Sequence, residues 1–417
     1  MTYAIIISEK KGGVTYMIKG ITLQVYPNKQ QQVQLQQMFG NERFVWNQLL
    51  NMANQRYENN PHSLFLKSYQ MNYLLKSLKM EYPFLKESDS SSLQVVTHNL
   101  EQAFTMLFKH RGGHPKFQSY KRTKPSYTGK STLKVIAKRC LKLPKLGYIK
   151  SSKTSRLLNG KIKRYTITYL PTGKYQLSVA LECESQTLPK TGKTVGIDLG
   201  LHDLMILSDP CQPKIKKFTT KYLDEQTKNW QRKFNRRQNK AVKAVRQWNH
   251  NHKTIKENLE DYQNWQRAKQ IKARYQNKAA RKRTAYLQWW TTQIVKQYDV
   301  IVIENLKAKN MMKNHCLADS VAHAAWRKIR DMLAYKCAWY GKQLIIVNPR
   351  NTSRICHNCG RLQDQFKSLS TNEWLEIRKW TCETCGAQQD RDRNAALNIL
   401  QRGLQQINYW RAGEQRY

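Results

Sequence analysis

Three acidic residues stand where acids are costly. Asp198 follows Val195-Gly196-Ile197, and Glu304 ends Val300-Ile301-Val302-Ile303-Glu304, both buried-strand patterns. A carboxylate in such a place needs a cation or a partner. Asp392 lies in Asp390-Arg391-Asp392-Arg393-Asn394-Ala395-Ala396, at a helix start whose alanines permit close packing. Two strands and a helix start therefore each offer one carboxylate, the hard oxygen ligands that a pair of Mg2+ ions requires. Two such ions, about 3.5–4 Å apart, can activate a water and stabilise the leaving oxygen in phosphodiester cleavage. Any one of these acids alone could be a cap or a strand-end ion-pair partner; three in this chain order are harder to explain so. Asp390 is an alternative third acid, although Asp392 fits the helix start better. Asp203 and Asp209 read as turn residues.

Cys356-His357-Asn358-Cys359 and Cys382-Glu383-Thr384-Cys385 form a second constellation, two C-x-x-C knuckles with 22 residues between them. A glycine follows each, Gly360 and Gly386, which suits a tight thiolate turn. Four thiolates complete a tetrahedral Zn2+ site, and a closed set of four is structural rather than catalytic. A redox C-x-x-C would want a thioredoxin-like βαβ context, which the pattern lacks. His357 reads as a bystander. Cys140, Cys183, Cys211, Cys316 and Cys337 are scattered and read as packing residues.

The elements that must position these groups follow from periodicity. Residues 1–16 read as a ragged leader whose one apolar block is Ala4 to Ile7, and Ile21, Leu23 and Val25 then alternate as a half-buried strand. Val33, Met38 and Phe39 predict a short helix ended by Gly40; Val45, Leu49 and Met52 predict a second. Leu93, Val96, Leu100, Phe104 and Leu107 mark a clearer one. Tyr165, Ile167 and Tyr169, then Tyr175, Leu177, Val179 and Leu181, alternate around Pro171-Thr172-Gly173 as a hairpin. Further strands are expected at Leu204–Leu207, Ile215–Thr219 and Leu344–Val347, with a helix over residues 320–340. The order β–β–β–helices–β–helix–β–helix is that of an RNase H-like nuclease.

Charge decides the class of partner. The chain of 417 residues carries 73 Lys and Arg against 28 Asp and Glu, a formal net charge of +45. Such a protein repels itself unless a polyanion neutralises it, and nucleic acid is the obvious one. Residues 228–283 alone hold eighteen basic and three acidic residues, with Trp230, Phe234, Trp248, Tyr262 and Trp265 interspersed. Long basic helices are expected there, with Arg236 and Arg237 as contacts to nucleic acid and the aromatics free to stack on bases. No apolar run reaches a transmembrane length, no signal peptide is evident, and the odd number of cysteines points to a reducing compartment. The expected location is the prokaryotic cytosol, with no membrane and no small-molecule substrate.

Together the motifs resemble TnpB, the insertion-sequence-encoded RNA-guided nuclease family of the OrfB type, related to the type V CRISPR effectors. The resemblance spans roughly residues 17–402. It rests on Leu23-Gln24-Val25-Tyr26-Pro27, Gly40-Asn41-Glu42-Arg43-Phe44-Val45-Trp46-Asn47, Leu143-Pro144-Lys145-Leu146-Gly147, Gly196-Ile197-Asp198-Leu199-Gly200, Glu304-Asn305-Leu306, both knuckles and Asp390-Arg391-Asp392 with Asn394-Ala395-Ala396. The implied fold is multidomain α+β: a RuvC-type nuclease domain with a zinc-ribbon insert, a β-barrel-like wedge domain and a helical recognition insert. Its expected bounds are a leader and first wedge strand over 1–27, recognition domain 28–125, wedge 126–190, nuclease 191–352 with basic helices 221–298, zinc ribbon 353–388, nuclease 389–404 and tail 405–417. The resemblance implies Asp198, Glu304 and Asp392 as the nuclease acids, a guide RNA from the transposon end, and double-stranded target DNA cut beside a short adjacent motif. It places residues near that motif around Gln94, Ser126, Tyr127 and Thr132. The alternatives are a strand-transfer transposase and a nuclease-inactive RNA-guided DNA-binding regulator.

Overall fold

The computed structural model describes residues 10–11, 14–130, 132–200, 203–212, 214–252, 254–306, 325–366, 369 and 371–414. Cys316, the Ala4–Ile7 block and the first five residues of the helix expected at 320–340 lie outside them. The chain divides into two compact units, residues 1–184 with 230–274, and residues 185–229 with 275–417. That division differs from the expected bounds: the central part of the basic stretch packs with the first unit rather than with the residues around Asp198.

The first unit opens with β1 (Lys10–Lys11) and β2 (Val14–Tyr26). β2 therefore begins inside the stretch read as a leader, because its first half, though without apolar alternation, still finds backbone partners along residues 175–184, with Tyr16 opposite Glu184. Helices α1 (Lys29–Asn59), α2 (Ser68–Glu81) and α3 (Ser90–Phe108) follow. α1 is capped by Asn28, whose side chain accepts from the Gln31 N–H while Gln31 reaches back to the Asn28 N–H. It does not end at Gly40. A helical glycine costs only about 1 kcal/mol, and the buried residues on both sides, Leu35, Met38 and Phe39 before and Val45, Leu49 and Leu50 after, outweigh that.

Strands β3 (Ser126–Gly129), β4 (Lys134–Ala137), β5 (Cys140–Leu143), β6 (Gly147–Ser151), β7 (Lys161–Tyr169) and β8 (Tyr175–Glu184) complete one sheet with β2, in the order β3-β7-β8-β2-β6-β5-β4. The β7–β8 hairpin forms as expected, turning where Gly173 takes a positive φ of 78°. The core of this sheet also takes in Leu35, Met38 and Phe39 of α1. The rest of α1 packs with α2 and α3 around Leu49, Leu75, Leu93 and Leu100.

The second unit is built on β9 (Thr194–Asp198), β10 (Asp203–Leu207) and β11 (Lys214–Lys216), then, beyond α4 (Lys221–Asn251) and α5 (Gln263–Gln297), β12 (Val300–Glu304), α6 (Trp326–Tyr340) and β13 (Gln343–Val347). Asp203 opens a strand rather than a turn, opposite Lys216. The sheet order is β11-β10-β9-β12-β13, with β9 antiparallel to β10 and parallel to β12, and β12 parallel to β13. The α5 residues Leu287, Ile294 and Val295 cover one face with Ile329, Met332 and Leu333 of α6. Beyond α7 (Thr371–Glu376), β14 (Lys379–Thr381) and β15 (Gln388–Asp390), helix α8 (Arg391–Glu414) covers the other face at Val302, Ile345 and Val347. Both faces are covered, which explains why β12 reads as an unbroken apolar run.

Two glycines set the depth of α8. A Cβ at Gly196 would sit 2.2 Å from the Ala396 carbonyl oxygen and 2.7 Å from the Leu400 nitrogen, both helix backbone. A Cβ at Gly403 would sit 2.4 Å from Val302 Cγ2. Gly40, by contrast, has only the end of the Arg43 side chain near, at 3.9 Å. Gly196→Ala should therefore destabilise the protein by about 1–3 kcal/mol through overpacking, and Gly40→Ala should stabilise it by about 0.5–1 kcal/mol. Chemical denaturation checks both; equal stability of the Gly196 variant and the parent would refute the close approach.

Candidate active site and cysteine cluster

Parallel pairing of β9 with β12 sets Ile197 opposite Ile303. The next residues, Asp198 and Glu304, end their strands on the same edge of the sheet. The first turn of α8, which lies on β9, contributes Asp392. The three are near enough to act on one another: the Asp198 carboxyl is pushed well above its usual range by burial, then by the charges of Glu304 and Asp392, with Arg391 and a hydrogen bond from the Leu199 N–H opposing. Glu304 is 6% exposed, and burial raises its carboxyl too, against a hydrogen bond from Thr352 and the charge of Arg402. Acids crowded and desolvated in this way are a standing excess of negative charge that a cation relieves.

Asp392 is held differently. Arg391 donates to its Oδ1 through Nε at 3.0 Å and Nη2 at 2.9 Å, and Arg378 donates to its Oδ2 at 3.1 Å. Asp390, the competing third acid, instead accepts from the Arg393 N–H at 3.0 Å and pairs with Lys214 at 3.5 Å, as a helix-start cap would. The acids do not fall within one single-ion radius. The cysteine tetrad is the one group of three or more acidic, His or Cys residues among the described residues whose donor atoms all lie within 4.8 Å of one another.

The cysteines fit a tetrahedral metal closely. Cys356 Sγ lies 3.7 Å from Cys385 Sγ, and Cys359 Sγ 3.6 Å from Cys382 Sγ. Disulfide sulfurs would stand about 2.05 Å apart, whereas a Zn–S bond of about 2.3 Å implies tetrahedral edges of about 3.8 Å. The two knuckles are built alike. The Gly360 N–H bonds the Cys356 carbonyl at 2.8 Å and the Gly386 N–H bonds that of Cys382 at 2.9 Å. Both glycines have positive φ, 73° and 67°. Burial opposes ionisation of Cys382, yet N–H groups of Cys385 and Thr384 and the neighbouring thiols bring it down to about 6. His357 is not among the four, and Phe366, Trp374 and Trp380 form a small apolar core around Cys356 and Cys382.

The remaining candidates are dispersed. Gln94 and Thr132 are exposed, and Ser126 is half-buried on β3. Tyr127 is fully buried, its hydroxyl 3.1 Å from that of Tyr165, so its ring belongs to the sheet core and not to a contact surface. Arg236 is exposed; Arg237 donates to the Asn264 carbonyl at 3.1 Å. Several aromatics of the basic stretch are used internally: Trp265 is buried and packs near Phe234, with Lys269 and Lys272 over their rings. Cys183 and Cys337 are buried, as packing residues should be, while Cys211 is exposed. Thr352, Arg378 and Arg402 escaped the sequence reading, since a single Thr or Arg has no spacing signature. Arg391 sat between two acids already singled out, which was its one signal.

Known families and proteins match the chain along most of its length. Residues 17–61 match a family model described as "Helix-turn-helix domain", residues 176–315 one described as "Probable transposase", and residues 326–399 one described as "Cas12f1-like, TNB domain". The first description is not what the fold shows, since residues 17–61 hold most of β2 and the single long α1. A Streptomyces pristinaespiralis protein named "Putative RNA-guided DNA endonuclease" is 29% identical over 91% of this chain and 88% of its own length. "Putative RNA-guided DNA endonuclease InsQ" of Escherichia coli K12 is 28% identical over 93% and 92%. "Putative transposase MJ0856.1" of Methanocaldococcus jannaschii is 36% identical over 76 residues, 70% of that protein. A solved Cas12f1–sgRNA–target DNA complex aligns over 92% of this chain and 98% of that one, at 12% identity and a TM-score of 0.47, a likeness too slight to carry weight. On the sequence matches, the chain belongs to the TnpB family.

Proposed function

We propose that this protein is a transposon-associated, RNA-guided DNA endonuclease that hydrolyses phosphodiester bonds at a RuvC-type site formed by Asp198, Glu304 and Asp392. The observation that carries the reading is the delivery of three carboxylates by two adjacent strand ends and a helix start, with Asp198 pushed up by burial and by the charges of the other two. Asp198 and Glu304 would hold one edge of a divalent-ion pair, two Mg2+ in this reading. Such ions, when bound, activate the attacking water and stabilise the leaving oxygen. Asp392 would join them by exchanging part of its pairing with Arg391 and Arg378, whose charges then face the phosphate. The sheet order, with three antiparallel strands beside two parallel ones, supports an RNase H-like domain, and the knuckles support a zinc ribbon set within it.

The sheet of residues 14–26 and 126–184 would serve as wedge and helices α1–α3 as recognition domain. A guide RNA from the transposon end would select double-stranded DNA by base pairing, leaving the protein to read a short motif and the shape of the heteroduplex. The net charge of +45 supplies the counter-charge for both nucleic acids. No helix among the described residues is long and apolar enough to cross a membrane. The expected compartment is the prokaryotic cytosol.

Protein purified from its host should carry a defined transposon-end transcript, read by sequencing the bound RNA; a random RNA population would favour a plain basic nuclease. Asp198→Asn should lose cutting of guide-matched DNA but keep the RNA, and unaltered cutting would sink the site assignment. Joined rather than cut products would indicate strand transfer. The same variant should melt higher than the parent in the absence of divalent ions. Folding raises the Asp198 pKa above its unfolded value, so this residue costs stability at neutral pH and a neutral amide does not. Metal analysis should find one zinc per chain, lost in Cys382→Ser together with protection of residues 352–390 from protease.

A further inference from the structure

Glu304 is held by a residue from outside its own strand. The Thr352 hydroxyl donates to Glu304 Oε1, and both side chains are buried, at 4% and 6% exposure. A hydroxyl has one proton, and its other acceptor, the Pro349 carbonyl, is more distant at 3.2 Å. The proton therefore goes to the carboxylate, the stronger acceptor. Oε2 takes no hydrogen bond among the described residues and would be the oxygen open to an ion.

Thr352 is itself fixed from α8, the helix that carries Asp392. Asn398 Nδ2 donates to the Thr352 carbonyl at 2.8 Å and to the Ile355 carbonyl at 2.8 Å. Asn394 Nδ2 also donates to the Ile355 carbonyl at 2.8 Å, and its Oδ1 accepts from the His357 N–H at 2.8 Å. Asn394 and Asn398 are 1% and 4% exposed. They lie four residues apart on one helix face, where two amides can grip the turn at residues 351–355. One helix thus carries the third acid and, through this loop, sets the position of the second.

We infer that Thr352, clamped by Asn398, is a positioning residue that fixes the Glu304 carboxylate in register with Asp198 and Asp392. This rests on the reading of Glu304 as an ion-binding carboxylate. Groups that orient metal-binding carboxylates typically change metal affinity or activity about 10–100-fold when removed. Thr352→Val keeps the shape and removes the donor. Thr352→Ser keeps the donor. Asn398→Ala releases the clamp and leaves the hydroxyl in place.

The test uses the RNA-bound protein and guide-matched DNA, with cutting rate followed against Mg2+ concentration. Thr352→Val should raise the Mg2+ needed for half-maximal cutting about tenfold or more, with Thr352→Ser close to the parent and Asn398→Ala displaced in the same direction. A second readout does not depend on cutting. The rise in melting temperature that Mg2+ produces by binding the folded protein should move to higher concentration in Thr352→Val and be lost in Glu304→Ala. A Thr352→Val protein that melts lower and cuts more slowly by the same factor at every Mg2+ concentration would overturn the proposal, since that marks a packing role alone. An unchanged Mg2+ requirement would overturn it too. If Thr352→Val does not fold, Asn398→Ala decides on the same two criteria. Glu304→Ala, run in parallel, separates the failures: normal cutting there defeats the carboxylate reading itself, whereas its inactivity beside a normal Thr352→Val protein defeats only the positioning role.

Discussion

Acidic groups are forced together at the ends of β9 and β12, and the second unit is organised to keep them there. Carboxyl groups so buried and so near one another resist ionising, and they cannot move apart because the strands that present them are locked by apolar packing on both faces. The third acid is brought in by a helix lying so near β9 that Gly196 has no room for a methyl group. Packing energy is thereby stored as electrostatic strain, and a cation can release it. The surrounding core is large enough to tolerate that local instability.

Much of this was legible because the signals are local. An acid at the end of an unbroken run of Val and Ile conflicts with its surroundings, and that conflict marked both Asp198 and Glu304. The paired C-x-x-C spacing marked the cysteine cluster in the same way, since only a tight thiolate turn explains Cys-x-x-Cys-Gly twice. The Tyr169–Tyr175 hairpin was equally plain from its period and its Pro-Thr-Gly turn.

Elements that depend on distant partners were less legible. Gly40 looks like a helix end, yet α1 continues because residues on both sides of it are buried by two different cores. The first half of β2 has no apolar alternation and is a strand only because β8 lies beside it. Tyr127 and Trp265 look like surface aromatics among polar and basic neighbours, but each is consumed by packing that sequence spacing does not reveal. Thr352 could not have been found at all, since its role exists only through Glu304, far away in the chain.

The cysteine-rich insert is fastened to the rest of its unit at both ends. At the start, Asn394 and Asn398 hold residues 352–357; at the finish, the Arg391 N–H bonds the Arg378 carbonyl, and β14 pairs with β15 immediately before α8. Whatever lies between the knuckles is hung from two anchored points. Closing a longer surface loop costs little extra entropy. Between those points Phe366 and Trp374 pack around Cys356 and Cys382, and Arg378 reaches Asp392, so an accessory domain grafted onto this stretch would have to be inserted between Phe366 and Thr371 with those side chains left in place.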